Sequence, residues 1–220
     1  MQRFIARGLV VIAVGLLVGV GNPAYAAPLF GVTGDGAPVN PESFFSVSPA
    51  DASTNLIQAL GEGDGGESIA FNPADGLMYH WSGFNDQIME TINLSNQTVT
   101  NVPTDFSSYD PAEVLGSTYD PSSGNFLFTD LNDNLGSVTP GGVFSLIGGM
   151  PCPSKCRGLA FNGGKLYSGD RNNDQLREIN PLTGEGLSSV TVTLAGFTVN
   201  GINGLSTDPD TGLLYGIVKT

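Results

Sequence analysis

Basic residues are scarce in this sequence. Only 8 Lys and Arg stand against 21 Asp and Glu in 220 residues, so the formal net charge is −13. After Arg7, the next basic residue is Lys155. Proteins that hold a nucleic-acid backbone need clustered Lys and Arg, so the composition excludes a nucleic-acid partner. The acidic excess favours solubility, and the alternative is that some acidic side chains bind divalent cations.

Long hydrophobic runs are also missing, apart from the 13 residues of Gly8 to Val20. A bilayer span needs about 20 apolar residues, so this run is too short to cross a membrane. It follows Arg3 and Arg7 and precedes Ala24-Tyr25-Ala26, which is the order of a secretory signal peptide. We predict a signal peptide over residues 1–26 and a secreted protein, extracellular or periplasmic, without a membrane span after cleavage. Retention in the membrane is the alternative.

Histidine and cysteine are nearly absent, with one His and two Cys. A lone His80 offers no Ser-His-Asp relay, and no G-x-S-x-G motif occurs. We therefore expect His80 to be packed or at the surface. Cys152 and Cys156 are too few ligands for a metal site. In an exported chain they predict a disulfide that closes a small loop.

Helix-forming composition is lacking as well, because the sequence has 31 Gly and 14 Pro and only 13% charged residues. Instead, one phrase recurs: a short apolar strand, a turn of the type D/N-P-x-x-G that is shortened in the third copy, and a second strand with an aromatic residue. Its copies are Ser68–Tyr79, Gly116–Phe128, Gly158–Tyr167 and Gly204–Tyr215. Aligned on Phe71, Tyr119, Phe161 and Thr207, they lie 48, 42 and 46 residues apart. In the turn, Pro fixes φ and Gly takes a positive φ, which predicts a type I or II turn.

A third and a fourth strand follow each phrase. Four strands in a period of 40–50 residues are typical of one blade of a β-propeller. We therefore predict an all-β propeller of four-stranded antiparallel blades in residues 27–220, with about four blades visible. The partial blades are expected at 29–60 and 203–220, and the full blades at about 67–103, 114–148 and 157–195. A β-sandwich with evenly spaced strands is the alternative.

The phrases GLAFNGGKLY, GLSTDPDTGLLY and REINPLTG resemble those of bacterial secreted propellers of the NHL, YncE and TolB kind. The resemblance covers nearly all of residues 29–220. It implies a propeller architecture and leaves the function open, because such repeats serve scaffolds, binding proteins and enzymes.

The two ends of the repeat do not match each other as a closed ring would require. Leu29 begins a second strand of a blade, whereas the C-terminal residues supply both a first and a second strand. We therefore expect the sequence to be part of a larger ring. The alternative is a compact four-bladed ring in which Leu214 to Thr220 stays at an edge, where an unpaired strand favours aggregation.

The residues one position before each phrase are expected at the mouth of the central channel. They are Glu67, Leu115, Arg157 and Asn203. We predict ligand binding there by Glu67, Arg157 and Asn203, and a water-filled channel with hydrogen-bonded polar residues is the alternative. The set resembles the calcium-binding ring of propeller lactonases, but Leu115 interrupts it and Arg157 would repel a cation.

Acidic clusters follow the second strands. Asp and Asn supply the oxygen ligands that calcium prefers, and they also favour tight turns. Calcium is therefore the one cofactor considered, and its candidate ligands are Asp130, Asp133, Asp170 and Asp174.

Taken together, the sequence predicts a secreted propeller that acts as a non-enzymatic binding or interaction module. Its partner would be an extracellular protein, a glycan or a small molecule. The alternative is a calcium-dependent, lactonase-like or esterase-like hydrolase with its site at the channel mouth.

Overall fold

The fold is described from a computed structural model, which covers residues 10–13, 29–34, 36–60, 68–84, 87–153 and 155–220. The described residues form strands and turns without a helix. None of them forms a helix long and apolar enough to cross a membrane. The strands are Val10–Ala13 (β1), Leu29–Thr33 (β2), Ser43–Val47 (β3), Thr54–Ala59 (β4), Ser68–Asn72 (β5), Leu77–Ser82 (β6), Ile88–Asn93 (β7), Thr98–Val102 (β8), Val114–Asp120 (β9), Asn125–Asp130 (β10), Asn134–Val138 (β11), Phe144–Gly149 (β12), Cys156–Asn162 (β13), Lys165–Asp170 (β14), Gln175–Ile179 (β15), Gly186–Thr191 (β16), Gly201–Thr207 (β17) and Leu214–Lys219 (β18).

The strands form antiparallel sheets in which neighbours in the chain are neighbours in the sheet, except that β18 also pairs with β1. Three sheets have four strands each: sheet II (β5–β8), sheet III (β9–β12) and sheet IV (β13–β16). Two have three strands: sheet I (β2–β4) at one end of the chain, and sheet V, with the order β17-β18-β1, at the other. This confirms the prediction of an all-β propeller of four-stranded antiparallel blades, about four in number.

The first strand of each repeat lies beside the first strand of the next, β5 by β9, β9 by β13, and β13 by β17. These inner strands approach closely through glycine. A Cβ on Gly116 would lie 2.7 Å from the nitrogen of Gly158, and a Cβ on Gly158 would lie 2.8 Å from the nitrogen of Leu205. The glycines that open the second and third phrases, Gly116 and Gly158, are therefore required by the contact between blades.

The repeated turns are built on an Asp or Asn side chain and a glycine. The side chains of Asn72, Asp120 and Asp208 each accept a hydrogen bond from the backbone nitrogen two residues later, at 2.9 Å. The glycine four residues after each has φ of 74°, 73° and 68°. Its nitrogen donates to the carbonyl of the Asp or Asn. The positive φ is confirmed, and the turn is a five-residue turn rather than the four-residue type I or II turn that we predicted.

Apolar side chains fill the spaces between adjacent sheets. Tyr79 and Trp81 of sheet II pack with Phe126, Phe128 and Phe144 of sheet III. The other two described clusters join sheets III and IV and sheets I and II. Sheets II and III therefore have apolar clusters on both faces, and radial packing gives this chain a core that one sheet alone could not form.

The strands at the two ends of the chain do not complete one shared four-stranded sheet, as they would in a simply closed ring. β18 pairs with β17 on one side and with β1 on the other, from Val10↔Val218 to Ala13↔Tyr215. In sheet I, β2 pairs with β3. The segment that we predict to be a signal peptide therefore includes the strand that covers the edge of β18, and the cleavage itself stays a prediction.

The fourth strand of sheet IV begins earlier than its sequence pattern indicated. The β-branched run Val190-Thr191-Val192-Thr193-Leu194 predicts that strand from the sequence, whereas β16 is Gly186–Thr191. A tight turn explains the shift. The backbone nitrogen of Asn180 donates to the carbonyl of Glu185 at 2.7 Å, so the chain reverses its direction directly after β15 and β16 begins at Gly186.

Candidate functional site

Three inner strands carry an irregularity at the same place, close to their start. The register slips between Val114 and Gly116 in β9, between Arg157 and Leu159 in β13, and between Ile202 and Gly204 in β17. A β-bulge of this kind bends the strand and re-aims its side chains. The predicted mouth residues Arg157 and Asn203 both lie at these bulges, on neighbouring strands.

A cavity of about 540 Å³ lies behind the bulges. Its wall comes from the inner strands together with β2, β3 and β18 and is mainly apolar, with Phe45, Ile69, Leu115, Leu159, Leu205 and Ile217 among its residues. Polar atoms come from a few side chains, including Ser68, Ser117 and Asn203. The water-filled channel with hydrogen-bonded polar residues, the alternative that we considered from the sequence, stays a prediction.

Ser68 and Ser117 join two inner strands inside the wall of the cavity. Their hydroxyl oxygens are 2.7 Å apart, and both residues are buried. Ser68 occupies the position that glycine holds in the other three phrases. A serine fits there because its hydroxyl finds a partner on β9.

Arg157 is half-buried beside the cavity, next in the chain to Gly158, which lines it. Its Nε is buried and has no hydrogen-bond partner among the described residues. Burial, and then the nearby charge of Arg171, lower the pKa of Arg157, while the carboxylate of Glu113 acts in the opposite direction. The structure thus leaves the buried Nε of Arg157 without an acceptor among the described residues, in the residue directly before Gly158 of the cavity wall.

Asn203 lines the cavity directly, and its side chain makes no hydrogen bond within the described part of the chain. The third predicted mouth residue, Glu67, lies outside the described residues. Arg157 and Asn203 therefore lie at the same end of two adjacent inner strands, and ligand binding by these three residues stays a prediction.

The carboxylate of Asp130 is fully buried at the end of β10. One of its oxygens accepts hydrogen bonds from the nitrogens of Asn132 and Asn134, at 2.9 and 2.8 Å. The other accepts from the side chain of Asn134, at 3.1 Å, and from the hydroxyl of Tyr109. Burial and this bond to Asp130 raise the pKa of Tyr109. Asp130 thus holds the turn between β10 and β11.

Asp133, in the same turn, binds sheet IV. Its carboxylate accepts from the nitrogen of Cys156 at 2.9 Å and lies 3.6 Å from Nζ of Lys155. Asp133 also has a φ of 59°, in the left-handed region that Asn and Asp tolerate best after glycine. Its position therefore links two blades.

Asp170 and Asp174 have similar partners in sheet IV. Asp170 is fully buried and accepts from the side chain of Asn173 at 2.8 Å, with Arg177 3.7 Å away. Asp174 accepts from the side chain of Gln175 at 2.8 Å. The described residues contain no group of three or more His, Cys, Asp or Glu placed to hold a metal ion. The assignment of calcium to these four carboxylates stays a prediction.

Cys152 and Cys156 form the predicted disulfide, with their Cα atoms 5.3 Å apart. Both residues belong to the core between sheets III and IV. The bond thus fixes the segment that leads into β13, directly before Arg157.

A buried pair that the sequence analysis missed lies within sheet II. His80 on β6 and Glu90 on β7 are opposite each other, with Nδ1 and Oε2 3.1 Å apart and only 1% and 5% of the residues exposed. His80 is thus packed, one of the two alternatives that we expected. Strand alternation predicts that His80 and Trp81 face opposite sides of the sheet. The pairing of His80 with Glu90 could be predicted only if the register between β6 and β7 were known.

Comparisons with known proteins support the architecture. No protein-family model matches the sequence, and no curated protein does. A chain from a nidogen/laminin complex is similar in structure, at 14% identity over 79% of this chain and 65% of that one, with a TM-score of 0.52. A protein of unknown function from Bacteroides thetaiotaomicron matches at 15% identity over 80% and 56%, with a TM-score of 0.50. At such identities the likeness concerns the fold alone.

A third solved structure, a glutaminyl cyclase of Myxococcus xanthus, matches at 17% identity over 80% of this chain and 85% of that one, with a TM-score of 0.49. The sheets of this chain confirm the propeller part of the resemblance noted in the sequence. Its narrower assignment to secreted proteins of the NHL, YncE or TolB kind stays a prediction.

Proposed function

We propose that this protein is a secreted, non-enzymatic binding module that takes a small ligand into its central cavity. The observation that carries the proposal is the apolar cavity of about 540 Å³ where the inner strands meet. Sites for small molecules are commonly apolar clefts of about 300–1,000 Å³ with a few polar groups that orient the ligand. Here those groups are Ser68, Ser117 and Asn203.

The side chains around the cavity suit binding better than catalysis. The polar atoms of its wall are hydroxyls and amides, and the two serines already bond to each other. The single histidine is buried in sheet II against Glu90, so it offers no free base at this wall. A binding module is therefore the function that these residues favour.

The binding proposal is tested with an apolar dye whose fluorescence rises in a dry environment. We expect the purified protein to bind the dye with saturation. Replacement of Leu205, which lines the cavity, in Leu205→Trp should weaken binding because the larger ring occupies the space. The control is Leu182→Trp at a side chain that is 83% exposed and outside the cavity. Equal binding by all three proteins would contradict the proposal.

The secretion proposal rests on the order of Arg3, Arg7, the apolar run and Ala24-Tyr25-Ala26, and the disulfide is consistent with an oxidising compartment. Mass spectrometry of the protein exported by a bacterial host should show Ala27 as the first residue. A chain that keeps residues 1–26 and stays in the cytoplasm would contradict it. Arg3→Glu with Arg7→Glu should reduce export, since the signal needs a positive start.

A further inference from the structure

Most basic residues of the folded chain belong to sheet IV and its loops, and they differ in how their charge is compensated. Lys155 lies 3.6 Å from Asp133, Lys165 lies 3.0 Å from Glu178, and Arg177 lies 3.7 Å from Asp170. Arg157 and Arg171 have no ion pair within the part of the chain that the structure describes. Two arginines of the described residues thus stand out in an acidic protein, because no carboxylate there lies within ion-pair distance of them, and only the more distant charge of Glu113 acts on Arg157.

Contacts of the backbone bring these two arginines together at the end of the channel. The nitrogen of Arg171 donates to the carbonyl of Lys155 at 3.0 Å, two residues before Arg157. The carbonyl of Arg171 touches Gly201, because a Cβ on that glycine would overlap it. Arg171, an exposed residue, therefore lies where β13 and β17 begin.

The burial of the Arg157 guanidinium and its lack of an acceptor at Nε among the described residues favour the binding of an anion. A half-buried guanidinium has lost part of its hydration, and its Nε has no acceptor among the described residues. Burial and the neighbouring charge of Arg171 both lower the pKa of Arg157, so the charged form is disfavoured by its surroundings. A carboxylate next to both arginines would supply acceptors and opposite charge in a partly dry environment, where such hydrogen bonds are strong.

The surroundings of the arginines define the rest of the ligand. Gly158, directly after Arg157, and Asn203 both line the mainly apolar cavity. A ligand held at the arginines can therefore extend an apolar part into the cavity. With a net charge of −13, the protein repels large polyanions, which favours a small ligand with one negative charge.

We propose that the ligand is a small amphiphilic carboxylate, whose head lies at Arg157 and Arg171 and whose apolar chain fills the cavity. The planar fork of arginine matches a carboxylate through two parallel hydrogen bonds. The side-chain amide of Asn203 provides a further donor at the same end. This inference rests on the proposed binding function and adds the chemical class of the ligand.

Calorimetry with two ligands of equal chain length tests the inference. Decanoate carries the carboxylate, decan-1-ol has the same chain without the charge, and acetate has the charge without the chain. We expect the purified protein to bind decanoate about tenfold or more tightly than decan-1-ol, since hydrogen bonds to charged groups contribute about 1.5–3 kcal/mol. Acetate should bind much more weakly than either.

Variants test whether the two arginines cause the preference for decanoate over decan-1-ol. Arg157→Gln should lose the preference for decanoate and keep the affinity for decan-1-ol, and Arg171→Gln should lose part of the preference. The matched control is Lys165→Gln in the same sheet, whose partner is Glu178. If Arg157→Gln fails to fold, Arg157→Lys keeps the charge but loses the fork, and it should bind decanoate more weakly.

Each result supports or overturns one of the two proposals. Equal affinities for decanoate and decan-1-ol in the unmodified protein would overturn the carboxylate site and leave the cavity as a binding site. Acetate binding as tightly as decanoate would overturn the role of the cavity in holding the chain. Decyl phosphate binding far more tightly than decanoate would replace the carboxylate with a phosphate. No binding of any of these ligands, and none of the apolar dye, would overturn the binding function itself.

Discussion

Gly116 and Gly158 face each other across the boundary between sheets III and IV, with no room for a side chain between them. A Cβ on Gly116 would lie 2.7 Å from the backbone nitrogen of Gly158. Since backbone atoms cannot rotate away as the end of a side chain can, a substitution here must move a whole strand. The contact lies at the inner end of the blades, where they converge on the central cavity.

We predict that Gly116→Ala lowers the free energy of unfolding by about 1–3 kcal/mol, the usual cost of overpacking a well-packed interior. Urea unfolding of both proteins measures the loss. The control is Gly149→Ala, because a Cβ there meets no atom within 4 Å. A Gly116→Ala protein as stable as the control would show that the inner strands separate easily.

The hydrogen bond between Ser68 and Ser117 should contribute measurably to stability. Ser68→Ala alone leaves a buried hydroxyl without its partner, and we expect a loss of about 1–3 kcal/mol. The double variant should lose less than the sum of the two single variants, because the two hydroxyls are 2.7 Å apart and act as a pair. A double-mutant cycle by chemical unfolding measures the coupling, and strictly additive losses would contradict it.

Asp130 is expected to stabilise its turn through hydrogen bonds rather than through a metal. Asp130→Ala removes the acceptor of four hydrogen bonds, and we predict a loss of at least about 1–3 kcal/mol. The melting temperature is measured with calcium and with EDTA, and Asp51→Ala at an exposed turn is the control. Stabilisation by calcium that disappears in Asp130→Ala would instead support the calcium assignment.

Stability should fall in alkaline solution because of Tyr79. Burial and the hydrogen bond to Asp75 raise the pKa of this phenol from 10.0 to about 12. Between these values the unfolded chain loses the proton first, so unfolding is favoured as the pH rises from about 10 to about 12. Tyr79→Phe should reduce this dependence, which unfolding curves at several alkaline pH values measure. An unchanged pH dependence would contradict the assignment to Tyr79.

The architecture could be predicted from local pattern alone. Strand and turn residues recur at spacings of 48, 42 and 46 residues, and each turn is stabilised by contacts within five residues, as Asn72 and Gly76 show. Because these interactions join residues that are close in the sequence, the same residues recur in each repeat, and the turns can be recognised from them. The disulfide followed from the export signal and from the presence of exactly two cysteines.

The candidate site could be predicted only in part. The position directly before each repeated phrase predicted Arg157 and Asn203 as site residues, and both lie at the same end of the adjacent strands β13 and β17. The sequence did not show that Arg157 would form no ion pair with the described residues while Arg177 lies 3.7 Å from Asp170. That outcome depends on distances between loops that are far apart in the chain.

The sequence by itself determined where most strands and turns lie and that the two cysteines pair, because each depends on neighbouring residues or on the repeat period. The tertiary structure decided what β18 pairs with, that His80 meets Glu90, and that the central cavity is apolar. Those features depend on the strand register and on the bulges at the start of the inner strands. A shift of one residue in the strand register turns each side chain to the opposite face of the sheet. The side chains that line the cavity therefore depend on how the blades pack together.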